Sequence, residues 1–570
     1  MMKKSIIQNT VLGILLVSGL TACNDTWDNH YEVKETLNPT ETLWDAISSR
    51  SELSEFANLL SRTDYKDLFQ QDRYFTVWAP SNGFGYSEDN DSLLQAEFVE
   101  NHVADFSHVA SGTLTDNQIK MINGKYIFFN GANGSYTFKG HPLTSKNIAT
   151  KNGILHIITG YANFTSNLWE NLAKIDSLSE VNSFLKSFNK EYFDKNNSVA
   201  GPIINGQQTY LDSVVIENNE WFGRIGYLAR EDSSYIMIAP TNKAWREQFE
   251  IARQYYKYPS TKADGDSLQD LNAKRAICNH LVFSKAVNHL KAGDNSDILS
   301  QLSIHNGDSL ISNYNYRGGS WRNTTIFYEK KNQELSKLFE NKIGEYELSN
   351  GSMYVVDKLN YSPLKCWHDT ITLEGENQFN ISVQYASPDN VVISRDSTAL
   401  RKRIPSGAYC VFNPSSGTSN PKITATLNNV LSAPYLIKIV FVPANLIDKS
   451  VDPLYPNVIT IQLQYKDANG KSQTATLASK VENDPTKIDT MVVSAAGIKG
   501  NPTDYFRFPV NEYNLENGEE AMTKLVITGQ VTSRQKDKDR TIRIDKIFLE
   551  PIDADAYDKE HANDNEEGNE

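Results

Sequence analysis

Cysteine is scarce in this sequence: four residues in 570, at Cys23, Cys278, Cys366 and Cys410. Their spacings suit no zinc site, and so few thiols exclude a disulfide framework as the main source of stability, although Cys366 and Cys410 are available to pair. Basic charge is also short, with 56 Lys and Arg against 70 Asp and Glu and a formal net charge of −14. Contacts to a phosphate backbone need Lys and Arg, so general nucleic-acid binding is excluded. The apolar run Val11 to Leu20 is too short to span a bilayer. Missing too are a Gly-x-Ser-x-Gly elbow, a His-Glu-x-x-His pair, a phosphate loop and a dinucleotide fingerprint. No cofactor or metal is expected. Carboxylates are plentiful, but no stretch singles out two of them for glycoside hydrolysis.

The first positive feature is an export signal. Lys3 and Lys4 precede the apolar run, and Leu20-Thr21-Ala22-Cys23 closes it. That tetrapeptide resembles a bacterial lipobox, which implies removal of residues 1–22 and a diacylglycerol on the Cys23 thiol. An ordinary secretory signal followed by a stray cysteine is the alternative. Asp25 and Asp28 resemble the signal that carries some Bacteroidota lipoproteins to the outer face of the outer membrane. Residues 23–37 lack periodicity and are read as a tether.

The chain then repeats itself. Tyr74–Asn82 reads YFTVWAPSN, a buried-strand run stopped by proline, with Ser81 and Asn82 placed to cap the next helix or turn. Tyr235–Asn242, YIMIAPTN, has the same construction. Three more landmarks recur in the same order. Leu43-Trp44-Asp45 matches Leu168-Trp169-Glu170, and Asn101-His102-Val103 matches Asn279-His280-Leu281. The segment from Asn152 to Ile158 (NGILHII) matches that from Asn350 to Val356 (NGSMYVV). The spacing between copies grows from 125 residues at the openers to 198 at the closing strands, so the second copy carries insertions, read at 196–232 and 256–270. Leu43, Ile47, Leu53, Phe56, Leu59 and Leu60 have helical spacing, as do Leu93, Leu94, Phe98, Val99 and Val103. The segment 124–136, with two Asn-Gly pairs, reads as strands and turns.

This pattern resembles fasciclin domains, whose marks are a strand ending in Ala-Pro-Thr-Asn, an internal histidine and an Asn-Gly closing strand. FTVWAPSN, ENHV and NGILHIITG carry the likeness in the first copy, and YIMIAPTNKAW, CNHLVF and NGSMYVVD in the second. The second copy departs with Tyr354 where histidine is usual, and the first with Thr159-Gly160 where aspartate is usual. The resemblance implies an α+β fold with tandem fasciclin-like domains at 38–161 and 166–360, and adhesion to protein or glycan partners without chemistry on them. His102 and His156 are read as buried hydrogen-bonding residues in preference to sites. Aromatic residues in the insertions, Trp221 among them, face either a partner or their own domain.

Beyond Tyr361 alternating and β-branched runs take over, among them Tyr435–Val442, Val458–Tyr465 and Arg543–Leu549. They predict an antiparallel, jelly-roll-like β-sandwich at 365–552. The last run resembles the closing strand of carbohydrate-binding jelly rolls. Trp367, Tyr385, Tyr409 and Tyr505 join Trp221 as candidate ligand-stacking residues, with core packing the competing role. Residues 553–570 hold eight acidic residues and one lysine and are read as a disordered tail, with Asp553 and Asp555 a remote calcium candidate. Asp-Ser or Asp-Thr steps at Ser92, Ser177, Ser213, Ser267, Ser309, Thr370, Ser397 and Thr490 resemble an O-glycosylation acceptor, though such pairs are also ordinary turn and cap residues.

The sequence therefore predicts an outer-membrane-anchored surface lipoprotein for adhesion or ligand binding. An accessory glycan-binding protein of a polysaccharide-uptake system is the alternative, and a polysaccharide hydrolase the third reading.

Overall fold

The computed structural model describes residues 39–196, 198–204, 206–284, 309–311, 326–328, 334–513 and 521–561. The signal segment 1–22, the tether 23–37 and Cys23 lie outside them. The chain divides into two compact units, the first ending at Thr165 and the second running from Ser166.

The first unit is built on one seven-stranded sheet. Its spatial order is Val103–Asp105, Phe75–Pro80, Gly153–Ile158, His141–Thr150, Ser135–Phe138, Tyr126–Ala132 and Gln118–Lys120. Phe75–Pro80 and Gly153–Ile158 run parallel, from Phe75 opposite Gly153 to Pro80 opposite Ile158. All twelve of their residues are buried, which explains two apolar runs without alternation. The helix Leu43–Ser48 packs on this pair and opens with a capping box between Thr42 and Asp45. Leu43, Ile47, Leu53, Phe56 and Leu60 are buried as their spacing predicts. Leu93 is exposed, because the segment after it winds as a π-helix over Leu94–Val99 and not with the assumed 3.6 period.

Asn152 fastens this arrangement. Its Oδ1 accepts from the Leu43 N–H at 2.8 Å, and its Nδ2 donates to the carbonyls of Phe69 at 2.8 Å and Gln71 at 2.7 Å. The Phe75 N–H donates to its carbonyl. Gly153 is required next because a Cβ there would stand 2.2 Å from the Phe75 carbonyl oxygen.

The second unit repeats the scheme. Its sheet order is Val282–Ser284, Tyr235–Pro240, Gly351–Val356 and Lys342–Leu348, again with a parallel central pair. Asn350 takes the Leu168 N–H at 2.9 Å and donates to Leu228 at 2.8 Å and Arg230 at 2.9 Å. At Gly351 a Cβ would meet the Tyr235 carbonyl oxygen at 2.0 Å. The strand-stop asparagines also correspond. Asn82 bonds the Glu55 N–H and the Ser54 hydroxyl; Asn242 bonds the Glu180 N–H and the Ser179 hydroxyl. Tyr354 occupies the register position that His156 holds in the first unit.

The first predicted insertion is a long hairpin, Asn189–Phe193 with Val215–Asn219 and Val199–Ile204 with Gln207–Asp212. The second contains the start of a helix, Gly265–Cys278. The loop before that helix docks on the C-terminal sheets. Ser432 Oγ bonds the Lys257 N–H and the Gln254 carbonyl, Asn511 donates to the Lys257 carbonyl, and Ser260 meets the turn at Ala468-Asn469.

Those sheets form an antiparallel sandwich. One runs Ala386–Val392, Ala408–Pro414, Ile542–Pro551, Pro434–Phe441 and Asp489–Val493, with Ile371–Glu374 paired to Ile542–Pro551 and Phe506–Arg507 to Pro434–Phe441. The other runs Ile381–Gln384, Lys422–Thr426, Lys524–Gly529, Val458–Lys466 and Ser472–Glu482. A continuous hydrophobic core runs from Leu168 to Leu549, so the sandwich packs together with the body before it inside the second unit.

Cys278, Cys366 and Cys410 are buried and none forms a disulfide, so the pairing of Cys366 with Cys410 that the sequence left open is not made. The reading of the C-terminal tail is corrected. The predicted disordered tail begins as a helix, Ala554–Glu560, whose Asp553 carboxylate caps it and whose Ala554 packs on Leu436 and Tyr505; residues 562–570 lie outside the described residues.

The histidine landmarks are structural. Neutral His102 donates from Nδ1 to the Phe98 carbonyl at 2.7 Å and accepts the Ala162 N–H at Nε2. His156 Nε2 pairs with the His108 carbonyl at 2.9 Å. Burial pushes both imidazoles down to about 4.

Replacing Asn152 or Asn350 with alanine is expected to cost its own unit about 3 kcal/mol, three lost hydrogen bonds at about 1 kcal/mol each, in urea unfolding of 39–165 and 166–561. The fragment 39–165 is expected to lose stability on acidification. Its unfolded histidines take protons near pH 6.5, whereas the folded ones resist until about pH 4. The contribution, up to about 3 kcal/mol per histidine, is full above pH 6.5 and lost as pH falls toward 4. A flat stability profile over that window contradicts it.

Candidate functional site

The five residues chosen as stacking candidates separate in the structure. Trp221 is 5 % exposed, stacked on Phe188 at 4.9 Å beneath the guanidinium groups of Arg224 and Arg275. Tyr409 packs under the helix Thr398–Arg403 with Ile393, Ile404 and Leu446. Tyr505 is buried against the C-terminal helix and donates to Asp558 at 3.0 Å. For these three the competing role of core packing holds: Trp221 lies in the main core of the second unit, and Tyr409 and Tyr505 close small satellite cores. Tyr385 is exposed at a left-handed turn, φ 62°, in the connection between two sandwich strands. Trp367 lines a cavity.

That cavity, about 640 Å³, lies within the second unit where the helix Gly265–Cys278 meets the sandwich. Its floor is aromatic and buried, formed by Tyr256, Trp367 and Tyr435 with Ala276 and His280 beside them. Its rim is amide and hydroxyl, from Asn377, Asn380, Asn428, Thr370 and Thr372. The loops hold one another. Asn377 Oδ1 accepts from the Phe379 and Asn380 N–H groups, and Asn428 donates to Asn380 Oδ1 at 3.1 Å. From below, the Tyr361 hydroxyl donates to the His280 carbonyl at 2.5 Å.

Electrostatics in the cavity are muted. Burial pushes the Asp369 carboxyl up to about 6, and burial pushes the His280 imidazole down to about 3, so the latter is neutral. Among the described residues, Lys546 is the one lysine or arginine in the lining. Behind it Asp545 is raised to about 6, by burial first and then by Glu374 and Glu376. The buried polar atoms of the lining that lack a protein partner include Asn279 Oδ1 and Trp367 Nε1. Among the described residues no group of three His, Cys, Asp or Glu is arranged to hold a metal, and no helix is long and apolar enough to cross a membrane.

Sequence reasoning missed this cavity because its residues come from separate segments spread between Tyr256 and Lys546. The Asn428-Asn429 pair and the polar 256–270 loop were the available signals. Of the Asp-Ser and Asp-Thr steps, Ser92, Ser177, Ser213, Ser267, Thr370 and Thr490 are exposed, Ser397 is half-buried, and the Ser309 side chain is outside the described set.

No curated protein matches the chain. Among solved structures, the fasciclin domain pair of the insect cell adhesion molecule fasciclin I is similar over 55% of this chain and 98% of its own, at 12% identity and a TM-score of 0.19. A xylan-binding domain of carbohydrate-binding family 22 is similar over 32% of this chain and 93% of its own, at 14% identity and a TM-score of 0.19. The first such module of a Paenibacillus barcinonensis xylanase covers 32% and 94%, at 9% identity and a TM-score of 0.19. The sequence match is confined to the first unit: a family model described as Fasciclin domain matches residues 51–160, so this segment is a fasciclin domain, an adhesion-type domain.

Proposed function

We propose that the chain is a surface-anchored, non-enzymatic adhesion or ligand-binding protein. A lipid on Cys23 anchors it to the outer membrane, residues 23–37 tether it, and the fasciclin domain of the first unit is followed by a second fasciclin-like domain at 166–360. The observation that carries this reading is the fasciclin domain at 51–160 together with the hydrogen-bond scheme of Asn152, which Asn350 reproduces partner for partner. A second reading, glycan capture for a polysaccharide-uptake system, is favoured by the cavity with its aromatic floor and amide rim.

Two experiments test this. In a bacterium that processes lipoproteins, the chain is expected to take up labelled palmitate and fractionate with the outer membrane, and Cys23→Ser to do neither; an unlabelled wild-type chain overturns the anchor. Soluble fragments 24–570 (with Cys23 removed), 39–165 and 166–570 are then assayed on a glycan panel and on cell-surface proteins. Cutting at 362 is avoided, because it would open the shared core. Saturable glycan binding retained by 166–570 supports glycan capture, and protein binding retained by 39–165 supports adhesion. Release of reducing sugar from a polysaccharide overturns the non-enzymatic reading.

A further inference from the structure

We propose that the cavity between the helix Gly265–Cys278 and the sandwich is a binding site for a neutral oligosaccharide of a few sugar units, gripped by both halves of the second unit at once. The proposal rests on the glycan-binding reading above and assigns it a place and a ligand class.

Three observations converge. The first is size and lining. A cavity of about 640 Å³ falls in the range of small-ligand sites, on the order of 300–1,000 Å³. Tyr256 and Trp367 in the lining supply aromatic carbon for the apolar C–H faces of a sugar, with Tyr435, also of the lining, fully buried. The rim amides of Asn377, Asn380 and Asn428 carry N–H donors suited to sugar hydroxyls, while the Oδ1 atoms of Asn377 and Asn380 are engaged within the rim and fix its shape.

The second observation distinguishes ligand classes. Asn279 is 6 % exposed and Trp367 7 %, and each has a buried polar atom with no protein partner. A buried polar atom left unpaired costs on the order of 1–3 kcal/mol, so such atoms are uncommon without a purpose. These two are of opposite kind. Asn279 Oδ1 needs a donor, and Trp367 Nε1–H needs an acceptor. A phosphate or carboxylate group has nothing to give the first, and an ammonium group cannot accept from the second. A hydroxyl-bearing ligand both donates and accepts, and is the class whose chemistry suits both atoms.

The third observation is charge. Among the described residues the lining has no arginine to clamp an anion in two-pronged fashion, and Lys546 shares the cavity with the Glu374 and Asp369 carboxyls, Glu374 lying directly opposite it in the strand pairing. Neither a uronate-rich chain nor a basic peptide meets a complementary field there.

The test uses the whole chain from Asn24 with Cys23 removed. Titration calorimetry is run with xylo-, cello-, manno- and malto-oligosaccharides, with oligogalacturonate as the charged probe. One neutral series is expected to saturate with one site per chain. Thr372→Trp, at an exposed rim position, is expected to plug the cavity and weaken that binding at least tenfold, and Asn428→Ala, also exposed, to weaken it several-fold. Unchanged melting temperatures show that neither variant acts by unfolding. Gln462→Ala, on the outward face of the Val458–Lys466 strand, is expected to bind as wild type. Neutral binding that survives Thr372→Trp overturns this site and leaves glycan capture standing. A preference for oligogalacturonate overturns the neutral class. Absence of any oligosaccharide binding overturns both this proposal and the glycan reading beneath it.

Discussion

One side-chain amide in each half of the repeat does what several separate contacts would otherwise have to do. Asn152 and Asn350 sit one residue ahead of the glycine that starts the closing strand, and each joins the opening helix, the preceding loop and the parallel strand pair. The partners lie far apart in sequence, 109 residues for Leu43 with Asn152 and 182 for Leu168 with Asn350. A buried amide is costly unless every donor and acceptor is met. Once met, it admits a single register, because a slip of one residue would leave three groups unpaired and drive a Cβ into the neighbouring strand. The core around the strands is hydrophobic and forgiving; the amide is what makes the arrangement unique.

That requirement is why this half of the fold was legible in the sequence. Asn-Gly at 152–153 and 350–351, the proline stop at Pro80 and Pro240, and Asn82 with Asn242 are short, unusual and ordered alike, because each reports a backbone constraint that few residues satisfy. The sandwich was legible as a class from its alternating runs. The joining of the sandwich to the body before it was not. The segment 256–270 is polar, which reads as solvated loop, yet Lys257 and Ser260 give their polar groups to Ser432, Asn511 and the Ala468 turn. A polar residue satisfied by protein looks the same in sequence as one satisfied by water.

Aromatic residues misled for the related reason that a ring has no signature for direction. Trp221 packs in the main core and Tyr409 and Tyr505 close small satellite cores, whereas Trp367 lies at the seam between the helical body and the sandwich. What distinguishes Trp367 is that both sides of the seam contribute to its surroundings, with Tyr255 at 6.1 Å from one and the chain around Tyr435 from the other. A site assembled from many short segments leaves no motif, since no single segment bears enough of it to be recognised.

The reduced cysteines carry a consequence of their own. Cys278, Cys366 and Cys410 all belong to the second unit, all are buried, and burial pushes the Cys278 and Cys410 thiols well above their usual range. A thiolate is the reactive form, so in the closed molecule these groups are both hidden and chemically quiet. Cys366 borders the cavity and Cys278 ends the helix that walls it. Between Pro39 and His561 the chain thus contains an internal clock for its own opening. Alkylation rates at the three positions would time how often the seam and the cores on either side of it part, with the fasciclin domain of the first unit silent throughout.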